Sequence, residues 1–167
     1  MTKPHPAQLP VETLLQACQT RRQRRSGPGG QHRNKVETGI FIEHTPTGIE
    51  AAATETRSQE SNRRKAIFRL RLCLALEHRT DTRYPPTELW QRRCANGRII
   101  ISPQHDDFPA ILAEALDVLA WNGWELPRAA AARNCTASQL LKLLRLKPPA
   151  LNHVNRRRVD IGLRPLK

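Results

Sequence analysis

Apolar and polar residues alternate along the chain in a few distinct rhythms, and each rhythm predicts an element. Val11, Leu14, Leu15 and Cys18 keep helical spacing behind Pro10, a residue that suits a first helical turn, so a brief helix is expected there. Val36, Thr38, Ile40 and Ile42 alternate with Glu37, Gly39, Phe41 and Glu43, which is strand periodicity. Thr45-Pro46-Thr47-Gly48 follows, with proline second and glycine fourth, as a type I turn prefers. Ile49, Ala51 and Ala53 then alternate with Glu50, Ala52 and Thr54, so residues 36–55 predict a β-hairpin. Thr56-Arg57-Ser58-Gln59 has the form of a capping box, although Ser58 could itself be the N-cap. A helix is expected from about Gln59 to His78. Its stripe of Ile67, Leu70 and Leu74, joined by Ala66 and Cys73, should cover the hairpin, while Arg63, Arg64, Lys65 and Arg71 lie mostly off it.

Pro85-Pro86 breaks the chain and marks a boundary. Asn96-Gly97 is a turn signal ahead of a short strand at Arg98–Ser102. Asp106 or Asp107 could cap a helix in which Leu112, Ala115, Leu116 and Leu119 keep helical spacing, and Trp121-Asn-Gly-Trp124 ends it. A second helix is expected from Pro127 to Arg133, with Asn134 supplying a left-handed turn. Thr136-Ala-Ser-Gln139 is another capping box, leading into Leu140, Leu141, Leu143 and Leu144, and Pro148-Pro149 should stop that helix before a basic tail. The expected class is α+β: a small mixed sheet with a hairpin packed under one long helix, plus a C-terminal helical module. The expected boundaries are an extension with a short helix at 1–19, the α+β domain at 20–80, a connector at 81–104, the helical module at 105–147 and the tail at 148–167.

Charge changes the picture. Lys and Arg number 28 against 15 Asp and Glu, a formal net charge of +13, and that excess points to a polyanion as partner, most simply nucleic acid. Only 38% of the residues are hydrophobic and 4% aromatic, so the core must be small and mostly aliphatic. There is no long apolar run for a membrane helix, and the proline-broken start MTKPHPAQLP lacks the pattern of a leader, so a cytoplasmic protein is expected, without a membrane partner. Cys18, Cys73, Cys94 and Cys135 are scattered and form no C-x-x-C pair, and the six histidines show no ligand spacing, so no metal site is expected. The densest cations lie in RRQRRSGPGGQHRNK, residues 21–35, which holds no acid. Charge and glycine alone would make this a solvated linker. Its direct passage into a strand argues instead for bare backbone brought close to something negative.

Residues 25–79 resemble the catalytic domain of class I peptide-chain release factors. The match is Ser26-Gly27-x-Gly29-Gly30-Gln31-His32, then Asn34, then HTPTGI at 44–49, then Arg57-Ser58-Gln59 followed by Asn62 and a basic helix. The three blocks recur in order and at hairpin-and-helix spacing, over about a third of the chain. The resemblance implies hydrolysis of the ester joining nascent peptide to tRNA, in the peptidyl-transferase centre of the ribosome. Gly29, Gly30 and Gln31 would be the catalytic residues: the glycines let the backbone approach, and the Gln31 amide N–H stabilises charge on the ester carbonyl. Ribosomal RNA and the terminal ribose of the tRNA would supply the rest, which accounts for the lack of an evident Ser-His-Asp or Cys-His set. No cofactor is implied. Gln31 would be N-methylated, with a glutamine methyltransferase as a further partner.

The flanking residues are expected to contact RNA. Around the loop these are Arg21, Arg22, Arg24, Arg25, Ser26, His32, Arg33, Asn34 and Lys35. On the helix side they are Arg57, Gln59, Arg63 and Arg64, and in the tail Arg156, Arg157 and Arg158. The expected partners are the ribosome, through the A site and 23S-type rRNA, and peptidyl-tRNA, with the protein a monomer.

Full release factors carry further domains that read the stop codon. Only about 25 residues precede the loop here and no candidate follows it, so the chain is more similar to the small codon-independent factors that rescue stalled ribosomes. It departs from them too, because residues 106–147 read as folded helices rather than a free basic extension. The stretch GWELPRAAAARNCTASQLLKLLR resembles a helix-turn-helix of the factor-for-inversion-stimulation type. Two alternatives therefore stand beside rescue hydrolysis: a non-catalytic rRNA-binding protein, and a DNA-binding regulator acting through the C-terminal helices.

Overall fold

The computed structural model describes residues 4–23, 38–81 and 85–167. They form two units, Leu9–Leu74 on one side and Met1–Gln8 with Ala75–Lys167 on the other. The class is α+β, with one long helix in the first unit and a helical second unit.

In the first unit, Pro10 precedes α1 (Val11–Gln16), whose Leu14 is buried. Three strands follow, β1 (Cys18–Gln23), β2 (Gly39–His44) and β3 (Ile49–Ala53), in the order β1-β2-β3. Both pairings are antiparallel, where a mixed sheet is expected. For β2 and β3 the physical reason is connectivity: a parallel neighbour needs a crossover of a dozen or more residues, and only residues 45–48 join these two strands. The predicted hairpin is β2–β3. His44 pairs with Ile49, and the Gly48 amide closes the turn on the His44 carbonyl at 2.9 Å. Gly48 takes φ +69°, a conformation that favours glycine.

The helix α2 (Gln59–Glu77) matches the predicted span to within a residue. Ser58 is its N-cap: the hydroxyl accepts from the Ser61 amide at 3.2 Å. Ile40, Ile42 and Ala53 of the sheet and Ala66, Ile67, Leu70 and Leu74 of the helix are among the buried apolar side chains of this unit. Arg69 ties helix to sheet by donating to the Ala52 carbonyl at 2.8 Å and pairing with Glu55.

In the second unit a short 3₁₀ turn, Pro6–Gln8, is followed by α3 (Glu88–Arg93), β4 (Cys94–Ala95) and β5 (Arg98–Ile99). Asn96 and Gly97 have φ of 50° and 74°, the doubly positive turn that matches the twist of a two-residue hairpin. Then come α4 (Phe108–Trp121), α5 (Leu126–Ala132), α6 (Ala137–Arg145) and α7 (Pro148–Asp160). Asn134 has φ 53° between α5 and α6, the left-handed turn the sequence predicts. Two expected caps work differently. Asp107 stands at the N-cap of α4, but its carboxylate takes the Arg93 guanidinium at 2.6 Å. The Thr136 hydroxyl does cap α6, at 3.2 Å from the Gln139 amide, yet the Gln139 side chain accepts from Ile99 N–H instead of closing the box. The stretch expected as a connector, 81–104, holds α3 and the β4–β5 hairpin, and Pro148 opens α7 as well as following α6.

Helix α4 is the centre of this unit, buried at every position from Phe108 to Leu119. A helix apolar all round belongs in a core, and only Glu114 and Asp117 interrupt it with charge. Asp117 accepts from Thr80 N–H at 3.2 Å and from the Thr80 hydroxyl, and pairs with Arg79 at 3.1 Å. Burial nevertheless dominates and pushes its pKa up to about 6. A carboxyl raised in the folded state binds its proton more tightly than in the unfolded chain. Ionisation of Asp117 therefore costs stability above about pH 6, and the cost is relieved as the pH falls through that value toward 3.8. The stability of the parent chain, relative to Asp117→Asn, is expected to rise as the pH falls from 6 to 4 by up to about 1.4 kcal/mol per pH unit, read from urea unfolding. A flat difference across that range would contradict it.

Candidate nucleic-acid interface

The sequence from Arg24 to Glu37, including the catalytic candidates Gly29, Gly30 and Gln31, lies outside the described residues. So do the RNA-contact candidates Arg24, Arg25, Ser26, His32, Arg33, Asn34 and Lys35. What is described is the residues on either side of this stretch. On one side is β1, on the other Thr38 and β2, and Gln23 pairs with Gly39.

Arg21 and Arg22 are both exposed on β1, opposite Phe41 and Ile40 respectively. Successive strand residues point to opposite faces, so the two arginines do not act as one cluster. Arg21 lies 3.9 Å from Glu50, both side chains about two-thirds exposed, a pairing worth little in water. Sequence reasoning missed β1 because Gln19-Thr20-Arg21-Arg22 lacks apolar alternation. An edge strand with exposed cations needs none.

The motif blocks inside the described residues are scaffolding. In HTPTGI the buried His44 shares a hydrogen bond with the Thr47 hydroxyl at 2.8 Å, and that oxygen accepts from Ile49 N–H at 3.3 Å. In R-S-Q-x-x-N the final residue, Asn62, is fully buried and fully used. Its amide donates to the Thr38 carbonyl at 2.7 Å and to the Thr56 carbonyl at 2.9 Å. Its oxygen accepts from Thr56 N–H at 3.0 Å and from the Thr56 hydroxyl at 2.9 Å. Asn62 thus locks the first turns of α2 to Thr38, the residue directly before β2. Arg57, Arg63 and Arg64 are exposed around it and Gln59 is half-exposed. Arg64 pairs with Glu60 at 3.0 Å.

Asn62→Asp keeps the shape and both acceptor contacts but sets a carboxylate oxygen against two carbonyls. Leaving buried groups unsatisfied in this way costs about 1–3 kcal/mol, and more when a charge is involved. That loss is expected in urea unfolding; an unchanged midpoint would show that the four bonds are not holding the junction.

Arg156, Arg157 and Arg158 belong to the second unit. Arg156 and Arg157 are exposed on α7. Arg158 is half-buried: its guanidinium donates to the Trp124 carbonyl and, at 2.8 Å, to the Arg164 carbonyl. The segment after α7 is folded back. Asn155 makes a two-point pair with Leu166, donating to its carbonyl at 3.0 Å and accepting its N–H at 2.7 Å, and Arg145 donates to the Lys167 carbonyl. The four cysteines carry free thiols, and burial pushes Cys135 up to about 12, far from a reactive thiolate. Among the described residues no helix is long and apolar enough to cross a membrane.

The described residues define a class: a basic α+β domain in which a β-hairpin packs with one long capped helix. Residues 11–98, more than half of the chain, match the RF-1 domain model, and the chain belongs to the class I peptide-chain release factor family. It is 41% identical over 77 residues to peptide chain release factor 1 of Xylella fastidiosa, covering 46% of this chain and 19% of that protein. It is 56% identical over 48 residues to peptide chain release factor 1 of Acidiphilium cryptum, covering 29% of this chain and 14% of the relative. Over 48 residues it is 50% identical to the chloroplastic peptide chain release factor PrfB1 of Arabidopsis thaliana, covering 29% of this chain and 10% of that one. The match thus spans less than a fifth of each of these relatives. No solved structure matches the chain.

Proposed function

We propose that this protein is a codon-independent release factor that hydrolyses the peptidyl-tRNA ester in the peptidyl-transferase centre of stalled ribosomes. One observation carries the reading. The sequence Ser-Gly-Pro-Gly-Gly-Gln-His joins two paired strands, within the stretch that matches the RF-1 domain. In this reading water attacks the ester carbonyl, and the backbone N–H of Gln31 meets the negative charge that develops on oxygen. Gly29 and Gly30 leave room for the tRNA end, and the Gln31 side chain shapes the water pocket. Arg22, Arg57, Arg63 and Arg64 and the cations of the loop neutralise rRNA phosphates in the A site without reading sequence. Gln31 is the residue a glutamine methyltransferase would modify, and the protein acts as a monomer.

The second unit is a helical bundle around α4, and Arg156 and Arg157 stand exposed on it. We read this as a ribosome-contacting module. The test is peptide release from four complexes: ribosomes stalled on truncated mRNA, ribosomes stalled in mid-message, ribosomes at a stop codon, and isolated large subunits holding peptidyl-tRNA. Release that does not depend on a stop codon is expected. Release at the stop codon alone would reassign the protein to codon-reading termination. If every nascent chain stays attached, the catalytic reading fails and a non-catalytic rRNA-binding role replaces it.

A further inference from the structure

A groove of about 360 Å³ lies between β5 with its continuation and α6, lined by Arg98, Ile99 to Ile101, Gln139, Lys142, Leu143 and Leu146. We propose that it binds one unstacked nucleotide of single-stranded RNA, with the base over the apolar floor and the flanking phosphates on Arg98 and Lys142.

The groove is built rather than incidental. Thr136 N–H donates to the Gly97 carbonyl at 3.1 Å, Ile99 N–H to the Gln139 side-chain oxygen at 3.3 Å, and Ile100 N–H to the Arg93 carbonyl at 2.8 Å. The first two bonds fix the β4–β5 hairpin against the start of α6, and the third ties the residue after β5 to the end of α3. Its size lies in the range of small-ligand sites, roughly 300–1,000 Å³. Ile100 stands 67% exposed at its edge, the most exposed large apolar side chain among the described residues.

The charges choose the ligand. In the first unit Arg21, Arg64 and Arg69 each have a carboxylate within 4 Å. Among the described residues Arg98 and Lys142 have none, and no acid lines the groove. From Leu126 to Lys167 the sequence holds a single acid, Asp160. A purely apolar ligand would leave both cations idle, and a small inorganic anion would leave Ile100 bare. A nucleotide within a strand offers an apolar face with a phosphate on either side. The Gln139 oxygen is committed to Ile99, which orients the amide and leaves its NH₂ to donate to an acceptor on a base edge.

The same bonds weigh against an operator-reading helix-turn-helix. At the start of α6, Gln139 is held by Ile99 and Ser138 by the Thr136 hydroxyl at 3.1 Å, so the side chains placed to read a major groove are already engaged. The choice of RNA as the source of the strand rests on the ribosomal reading above; the chemistry of the groove does not.

The test is fluorescence anisotropy of the full chain with a five-nucleotide oligouridylate, between 50 and 200 mM salt. Other basic segments add background, so the readout is the difference between variants. Arg98→Gln and Lys142→Gln are each expected to lower the slope of log K against log salt by about 0.7, the loss of one phosphate contact on a single strand. Ile100→Ser should weaken binding several-fold at every salt concentration with the slope unchanged. It should have no effect on an abasic ribose-phosphate pentamer. All three side chains border solvent, and unchanged melting curves would show the fold intact. Independently of any variant, 4-thiouridine in the oligomer is expected to cross-link to residues 98–101 or 139–146 of the parent chain. Unchanged slopes, an Ile100→Ser chain that binds like the parent, or cross-links confined elsewhere would overturn the site. So would tighter binding of a five-nucleotide oligodeoxyuridylate, or of an acidic peptide of the same length. Because no step involves hydrolysis, failure here is distinct from failure of the release reaction.

Discussion

Gly30→Ala is expected to lower the rate of peptide release by about 100- to 1,000-fold while leaving ribosome binding within a few-fold of the parent. The magnitude is that of removing one preorganised donor from an oxyanion site, about 3–4 kcal/mol of transition-state stabilisation. The proposed donor is the backbone N–H of Gln31, so its aim depends on the backbone just before it. Glycine explores conformations on both sides of φ, and a methyl group at position 30 removes part of that range and fills the space the tRNA end would occupy. Binding draws on different groups. Arg22 is exposed on β1, Arg57 on the bend before α2, and Arg63 and Arg64 on α2, and the phosphate contacts proposed for them are untouched by the change. The measurement is single-turnover release at saturating factor, which isolates the chemical step, with binding followed separately by pelleting with ribosomes. A Gly30→Ala chain that releases peptide at the parent rate removes the catalytic role of the loop. A chain that fails to bind shows instead that the loop is an anchor.

The parts of this fold that the sequence discloses are those where a local signal and a tertiary role coincide. Ile40 and Ile42 alternate with Phe41 and Glu43, and they are buried in β2. Asn96-Gly97 turns because both residues accept positive φ. The hidden parts are those where a signal has two meanings. Pro148-Pro149 reads as a stop, yet proline is equally at home at the first position of a helix, and α7 starts there. Strand β1 is polar because it is an edge, and its partner β2 supplies the apolar side chains. At the candidate site, the order of three motif blocks gives the family away, but it does not say what each block does. Asn62 and His44 belong to that signature and are spent on holding a helix cap and a turn. A buried, multiply bonded asparagine leaves no periodic trace, so only its position in the motif could have drawn attention to it.

Glu114→Gln is expected to destabilise the protein by about 3–5 kcal/mol, because it leaves a buried guanidinium without its counter-charge. Glu114 and Arg133 are 1% and 2% exposed, and their charged groups meet at 2.9 Å. The carboxylate does more than pair. It accepts from Thr87 N–H at 3.1 Å, from the Thr87 hydroxyl at 2.6 Å and from the Gln8 amide at 3.3 Å. Thr87 is the N-cap of α3, and the indole N–H of Trp90 in that helix donates to the Arg133 carbonyl at 2.8 Å. One buried acid therefore ties the start of α3, the middle of α4 and the end of α5 together. Nothing flagged it in the sequence, since Glu114 and Asp117 look like the polar face of an ordinary amphipathic helix. The double variant Glu114→Leu with Arg133→Met should recover part of the loss, because an apolar pair of similar volume often replaces a buried ion pair without penalty. Recovery should stop short of the parent by about 1–3 kcal/mol, the cost of the Thr87 N–H left without an acceptor. Urea unfolding of the three chains at pH 7 decides it. A Glu114→Gln cost below 1 kcal/mol, or a double variant no better than the single, would show that the pair contributes shape rather than charge. The consequence reaches the surface, since α3 runs directly into the β4–β5 hairpin that carries Arg98. Loosening Glu114 should then also weaken the salt-dependent binding assigned to that groove.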